Sequence, residues 1–201
     1  PSLLRDDLLE TLIICCSDRG APSKSARRDA LRALSWMSGH FEVGPSTRRR
    51  SGVGTGELLE VVAQCSLASD AELQDLALLI LCRWSEVIPY HAELVLGGAL
   101  KPLVISLQYP SPLAHFYGAR AIACLSIHRQ FRKSLIEEQV IGAPLFALMR
   151  SRWPRVRRSA CRIACNLSRE ASGALELMRS GGMSVGMSIA RAQSSKSDPL
   201  S

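Results

Sequence analysis

The chain has 201 residues, 47% of them hydrophobic and 21% charged, with a formal net charge of +7. That balance suits one folded domain with a real core and excludes a disordered chain. Aromatic residues are only 5%, so the core must come from Leu, Ala, Val, Ile and Cys, which favours packed helices over aromatic-rich strands.

Taken in chain order, two apolar phrases come first, "DDLLETLIICCSD" and "SARRDALRALSWMS". Both read as helices. Residues 39–56 then carry Gly, Pro, Ser and an Arg triplet, which predicts a flexible loop over 40–55. Within it "RRRS" resembles a site for a basic-directed kinase, with Ser51 as the acceptor. An unmodified loop is the simpler reading. "ELLEVVAQCSL" and "ELQDLALLILCRWSE" follow as a second helical pair. Ser69 with Glu72 fits a capping box for the second of these. The tail from 191 to 201 is polar and reads as frayed.

From residue 91 onward the phrases repeat. Moving residues 97–128 forward by 42 positions, without a gap, sets Pro102 on Pro144, Pro112 on Pro154, Arg120 on Arg162 and Ser126 on Ser168. Gly97-Gly98 returns as Gly181-Gly182, twice that distance on, and Ser85 precedes Ser126 by 41. A period near forty is the signature of a helical solenoid. Each unit reads as a short helix ended by glycine, a second helix, and a longer third helix opened by proline. The units fall roughly at 1–39, 56–86, 87–128, 129–170 and a partial 171–190. Both ends look cut from a longer array, since solenoids carry polar capping units. The chain does not begin with Met, so the lack of a legible signal peptide says little.

The unit from Leu94 to His128 resembles the armadillo repeat. The resemblance covers roughly residues 3–190 and is strongest over 91–182; HEAT repeats are the nearest alternative. It implies an all-α fold, a right-handed α-solenoid of about four units plus a partial one. Small residues at Ala119, Ala123, Ala160 and Ala164 would face the stack and let helices approach closely.

The charge is local. Residues 129–170 hold ten Arg or Lys against three acids, whereas residues 1–128 hold twelve against thirteen. On the last long helix Val156, Ala160, Ile163, Ala164 and Leu167 form an apolar stripe. Arg155, Arg158, Arg162, Asn166 and Arg169 recur on another face. Carried back by the repeat, these rungs fall near Phe116 and Arg120, then Arg83, then Arg28, Arg32 and Trp36. An exposed, solvated helix face is the plain alternative for any one arginine. The armadillo resemblance implies that third helices line a concave groove, so these residues would form its floor. It also implies that a third-helix Asn holds a bound peptide's main chain. Asn166 matches, but Cys124, Arg83 and Trp36 stand where further Asn residues would be. That departure, and the basic rungs, weigh against a receptor for basic import signals.

The four histidines lie in different units, and no Gly-rich phosphate loop fits "SGVGTG". The seven cysteines lie inside apolar helical phrases with no metal-ligand spacing. Buried thiols in a reducing intracellular compartment are expected, most simply the cytoplasm, with nucleus or organelle matrix also compatible. No enzyme activity, cofactor or metal is expected. The function expected is a protein-binding scaffold or a subunit of a larger complex, taking an acidic or extended protein segment. The alternative is an RNA-contacting repeat protein that uses the basic strip of 129–170, with Trp36, Phe116 or Trp153 to stack bases. No apolar run is long enough to span a bilayer.

Overall fold

The computed structural model describes residues 2–17, 23–40, 57–182 and 184–188, and these contain helices and turns with no strand. His40, placed at the start of the expected loop, is the last residue of a helix; the rest of that loop, 41–55 with Ser51, and the tail beyond 190 lie outside the described residues. The chain divides into two compact units, Pro1–Cys124 and Leu125–Ser201.

The first unit holds α1 (Ser2–Cys16), α2 (Lys24–His40), α3 (Glu57–Ser66), α4 (Ala71–Ser85), α5 (His91–Leu96), α6 (Leu100–Ser106) and α7, which runs from Pro112 to Leu125. Helix α4 packs on α2 and α3, and α1 on α2 and α3. The core is mainly aliphatic, with Leu31, Leu34, Leu59, Leu78, Leu81, Leu103 and Ile122 fully buried, as is Trp84. Burying one such Leu stabilises by about 1.5–3 kcal/mol. Gly118 lets α7 lie close to α6, since a Cβ there would stand 1.9 Å from Ser106 Oγ.

The second unit holds α8 (Arg129–Glu137), α9 (Ala143–Met149), α10 (Pro154–Leu167) and α11 (Ala171–Arg179). Helix α10 packs on α8, α9 and α11. Its expected stripe of Val156, Ala160, Ile163, Ala164 and Leu167 is fully in the core. The small residues Ala119, Ala123, Ala160 and Ala164 are all buried.

The third helices Pro112–Leu125 and Pro154–Leu167 keep the shift of 42 at both ends, but backbone geometry corrects the register at the end of the first helices. Positive φ occurs at Gly98 (80°), Gln139 (58°) and Gly181 (77°), at spacings of 41 and then 42 rather than in one gapless 42. The six-residue closures agree: Ala99 N–H donates to the Leu94 carbonyl at 3.0 Å and Val140 N–H to Leu135 at 3.3 Å. These close the first helices by the Schellman pattern. Gln139 takes the left-handed position without being glycine, which hid the one-residue shift from the sequence. The cap of α4 also differs from expectation. Asp70, not Ser69, is the N-cap, and its carboxylate accepts from the Glu72 and Leu73 N–H groups.

A second recurring device was illegible in the sequence because its residue type changes. Gln74 donates to the Ala68 carbonyl at 2.6 Å, and Arg157 to the Ser151 carbonyl at 2.8 Å. His115, the equivalent residue between them, hydrogen-bonds the Tyr109 backbone. Each side chain reaches back six residues and ties a third helix to the end of the helix before it. One step later in the repeat, His91 Nε2 bonds the Ser85 carbonyl at 2.7 Å, which fixes the proton on that nitrogen. Arg132 Nε does the same to the Ser126 carbonyl at 3.1 Å.

Candidate partner-binding face

The third helices α2, α4 and α7 carry the candidate residues of the first unit. Arg28 on α2 pairs with Asp70 at the N-cap of α4 and reaches Glu72 at 3.3 Å. That contact, with the α4 backbone N–H groups beside it, holds the Asp70 carboxyl below the usual carboxylate range, and Asp70 in turn raises the Arg28 guanidinium. Arg32, one turn on, pairs with Asp29 at 2.9 Å and with Glu72. Arg83 on α4 donates to the Ser35 carbonyl of α2 and lies 3.3 Å from Ser35 Oγ. Arg120 on α7 sets its Nε 2.6 Å from Glu86 Oε1, just past the end of α4. All four arginines therefore bind groups of their own unit, and three of them link one third helix to the next. Trp36 stands 55% exposed on α2. Phe116 is half-buried, edge-on to Tyr117 with ring centroids 5.4 Å apart.

The second unit presents α10 differently. Opposite its buried stripe, Arg155, Arg158, Arg162 and Arg169 are exposed. None has a carboxylate within ion-pair reach among the described residues. No Asp or Glu occurs between Glu138 and Glu170, so an acid partner would have to come from another element. At a rise of 1.5 Å per residue, Arg158 and Arg162 are about 6 Å apart along the axis, and Arg169 follows just past the C-cap Ser168. The first turn of α10 contains Arg155 and Arg157 and no acid. Cations there oppose the helix dipole. Cys165 lies on this same face and is exposed, a departure from the expectation that every thiol is buried; Cys16, Cys65 and Cys82 are buried. Burial pushes the Cys16 and Cys82 thiols up to about 12.

Not every arginine of the basic stretch is on offer. Arg132 is buried and donates to the Ser126 and Ile127 carbonyls and to Glu170. Arg157 holds Ser151. Asn166, the residue the resemblance assigns to a partner's main chain, donates Nδ2 to Ser126 Oγ at 3.0 Å. Sequence reasoning missed Asp70, Glu72 and Glu86 as partners of the first unit's arginines. The signal was available for two of them, since Arg28 and Asp70 are 42 apart and Arg32 and Glu72 are 40 apart, about one period. Among the described residues no group of His, Cys, Asp and Glu could hold a metal ion, and no helix is long and apolar enough to cross a membrane.

No family model matches the sequence, and no curated protein matches it significantly. Solved structures do match. A designed armadillo repeat protein superposes with a TM-score of 0.69 at 19% identity, over 90% of this chain and 71% of its own. A second designed armadillo protein, solved with the peptide (KR)4, gives 0.69 and 19% over the same shares. A structure from work on a phosphorylation switch between cadherin and beta-catenin gives 0.76 at 16% identity, covering 94% of this chain and 34% of its own. The fold is therefore armadillo-like: an all-α helical-repeat protein.

Proposed function

We propose that this protein is a non-catalytic scaffold or assembly subunit that binds an acidic, extended segment of a protein partner, with the α10 arginines as the principal contacts. One observation carries the reading: Arg155, Arg158, Arg162 and Arg169 are exposed without an acid partner among the described residues, and Arg155 stands in a helical turn where cations are unfavourable. A fold that pairs its other third-helix arginines internally keeps these four available. A carboxylate reaching them forms charge-assisted hydrogen bonds of about 1.5–3 kcal/mol each when partly desolvated. In the first unit, Arg28, Arg32, Arg83 and Arg120, with Trp36 and Phe116, are secondary contacts, since an incoming acid must compete with Asp70, Glu72, Glu86 or the Ser35 carbonyl. Peptide recognition by an armadillo-like fold is supported by the designed protein held with (KR)4. The exposed arginines here favour the opposite charge.

The test is fluorescence anisotropy with labelled peptides of alternating Asp and Glu, of alternating Lys and Arg, and with a single-stranded RNA. The acidic peptide should bind, and added salt should weaken it. Preference for the basic peptide would overturn the reading. Tight RNA binding without peptide binding would favour the RNA-contacting alternative.

A further inference from the structure

The turn between α9 and α10 forms a second charged surface, distinct in its make-up from the arginine face of α10. Arg150 is exposed at the end of α9, and Arg152, Trp153, Pro154 and Arg155 are exposed in succession. Trp153 is 49% exposed. A large ring left in water at a turn forgoes burial that the core could have supplied. The turn is ordered from within: Trp153 N–H donates to Ser151 Oγ at 3.2 Å, and the Ser151 carbonyl accepts from Arg157 at 2.8 Å. The Arg152 guanidinium lies over the Trp153 ring, 4.9 Å from its centroid. Three cations and an amphipathic ring are thus held at one tip, with no acid between Glu138 and Glu170 to neutralise them.

We propose that this turn is a peripheral docking site for an anionic phospholipid surface. Arg150, Arg152 and Arg155 would lie against headgroup phosphates, and Trp153 would sit at headgroup level. Tryptophan favours that interface because its ring partitions toward the acyl region while its indole N–H stays among polar groups. Clustered arginines are drawn to anionic leaflets. An acidic peptide would satisfy the cations and leave the ring in water, whereas a bilayer accommodates both. RNA fits less well, because Arg152 already covers one face of the ring that a base would stack on. Docking would be superficial, since no described helix is long and apolar enough to span. Arg155 is shared with the acidic-segment reading, whereas Arg150, Arg152 and Trp153 belong to this surface alone and Arg158, Arg162 and Arg169 to the other, so the two readings can be tested apart.

The experiment is co-sedimentation of the full chain with phosphatidylcholine vesicles, with and without phosphatidylserine, alongside a single-stranded RNA titration. The native chain should partition onto the anionic vesicles only, with a blue shift in tryptophan emission. At about fivefold per arginine near an anionic surface, Arg152→Glu/Arg155→Glu should reduce partition at least twentyfold. Trp153→Ala should abolish the blue shift and keep the helical circular dichroism. Arg162→Glu/Arg169→Glu should lose the acidic peptide and keep the vesicles. No partition on anionic vesicles, or partition that survives Arg152→Glu/Arg155→Glu, overturns the proposal. RNA binding lost in that same variant, with vesicles ignored, would make the turn a nucleic-acid site instead.

Discussion

Arg32 and Arg162 stand at the same rung of their repeats, yet their surroundings differ. Around Arg32 an acid lies about one period away, and the guanidinium ties α2 to α4 through Glu72. Around Arg162 the sequence supplies no acid, and the side chain is exposed on α10. Arg28 and Arg120 follow the first pattern; Arg155, Arg158 and Arg169 follow the second. The comparison teaches that a repeated basic rung is not a repeated function. What an arginine does depends on whether a carboxylate stands on the next helix at the matching height. Exposed pairs of this kind add little to stability, but they set how readily an outside acid can engage.

The largest expected effect comes from the one buried arginine of the basic stretch. Arg132→Met strips partners from the Ser126 and Ile127 carbonyls and from Glu170. It should cost about 2–4 kcal/mol in urea unfolding, because groups left unsatisfied keep their desolvation penalty. Stability within about 0.5 kcal/mol of native would place Arg132 with the dispensable surface charges.

Asp70→Ala removes the α4 cap and the main acid of Arg28, and should cost about 1 kcal/mol. Asp70→Asn keeps a capping oxygen and should cost less. Because Arg28 and the α4 backbone hold the Asp70 carboxyl below its ordinary value, the folded form binds fewer protons than the unfolded chain in mild acid. Its contribution is complete above the unfolded pKa and is lost as pH falls through the lower folded value. Native and Asp70→Asn stabilities should therefore converge at low pH. A gap that stays constant down to the acid transition would contradict this.

Much of this molecule was legible beforehand. The period near forty, the prolines at Pro112 and Pro154 and the stripe from Val156 to Leu167 specified the third helices, because periodicity and helix-start chemistry are local signals. The register was less legible. Gln139 adopts the left-handed conformation that Gly98 and Gly181 adopt, within the same helix-ending hydrogen bonds and with no glycine to mark it. The i to i−6 side-chain ties were invisible because Gln74, His115 and Arg157 share a geometry and no chemistry. The candidate face was half legible. Spacing put the arginines on one face, but pairing depends on acids brought near by folding, so Arg120 looked equivalent to Arg162 until Glu86 was seen beside it.

The comparison can also be tested by moving a residue from one class to the other. Glu72→Gln removes one of the acids from Arg32 and Arg28 and should raise acidic-peptide affinity about two- to threefold, the scale of an exposed pair. Unchanged affinity would mean the first unit takes no part in binding. The smallest perturbation is chemical. Brief alkylation of the native protein should label Cys165 and spare Cys16 and Cys82, whose burial pushes their thiols up to about 12. The labelled chain should keep its helical signal. Equal labelling of all three by mass spectrometry would contradict the exposure of the α10 face.

The central claim is that the unpaired arginines of α10, and not the paired ones of the first unit, carry the binding of an acidic segment. Its most direct test is the affinity of the alternating Asp/Glu peptide for two charge-reversed chains with native circular dichroism. Arg158→Glu/Arg162→Glu should weaken binding at least tenfold, a loss of about 1.4 kcal/mol or more, while Arg32→Glu/Arg120→Glu should weaken it by less than about threefold. Equal losses in the two chains, or a larger loss in the second, would contradict the account.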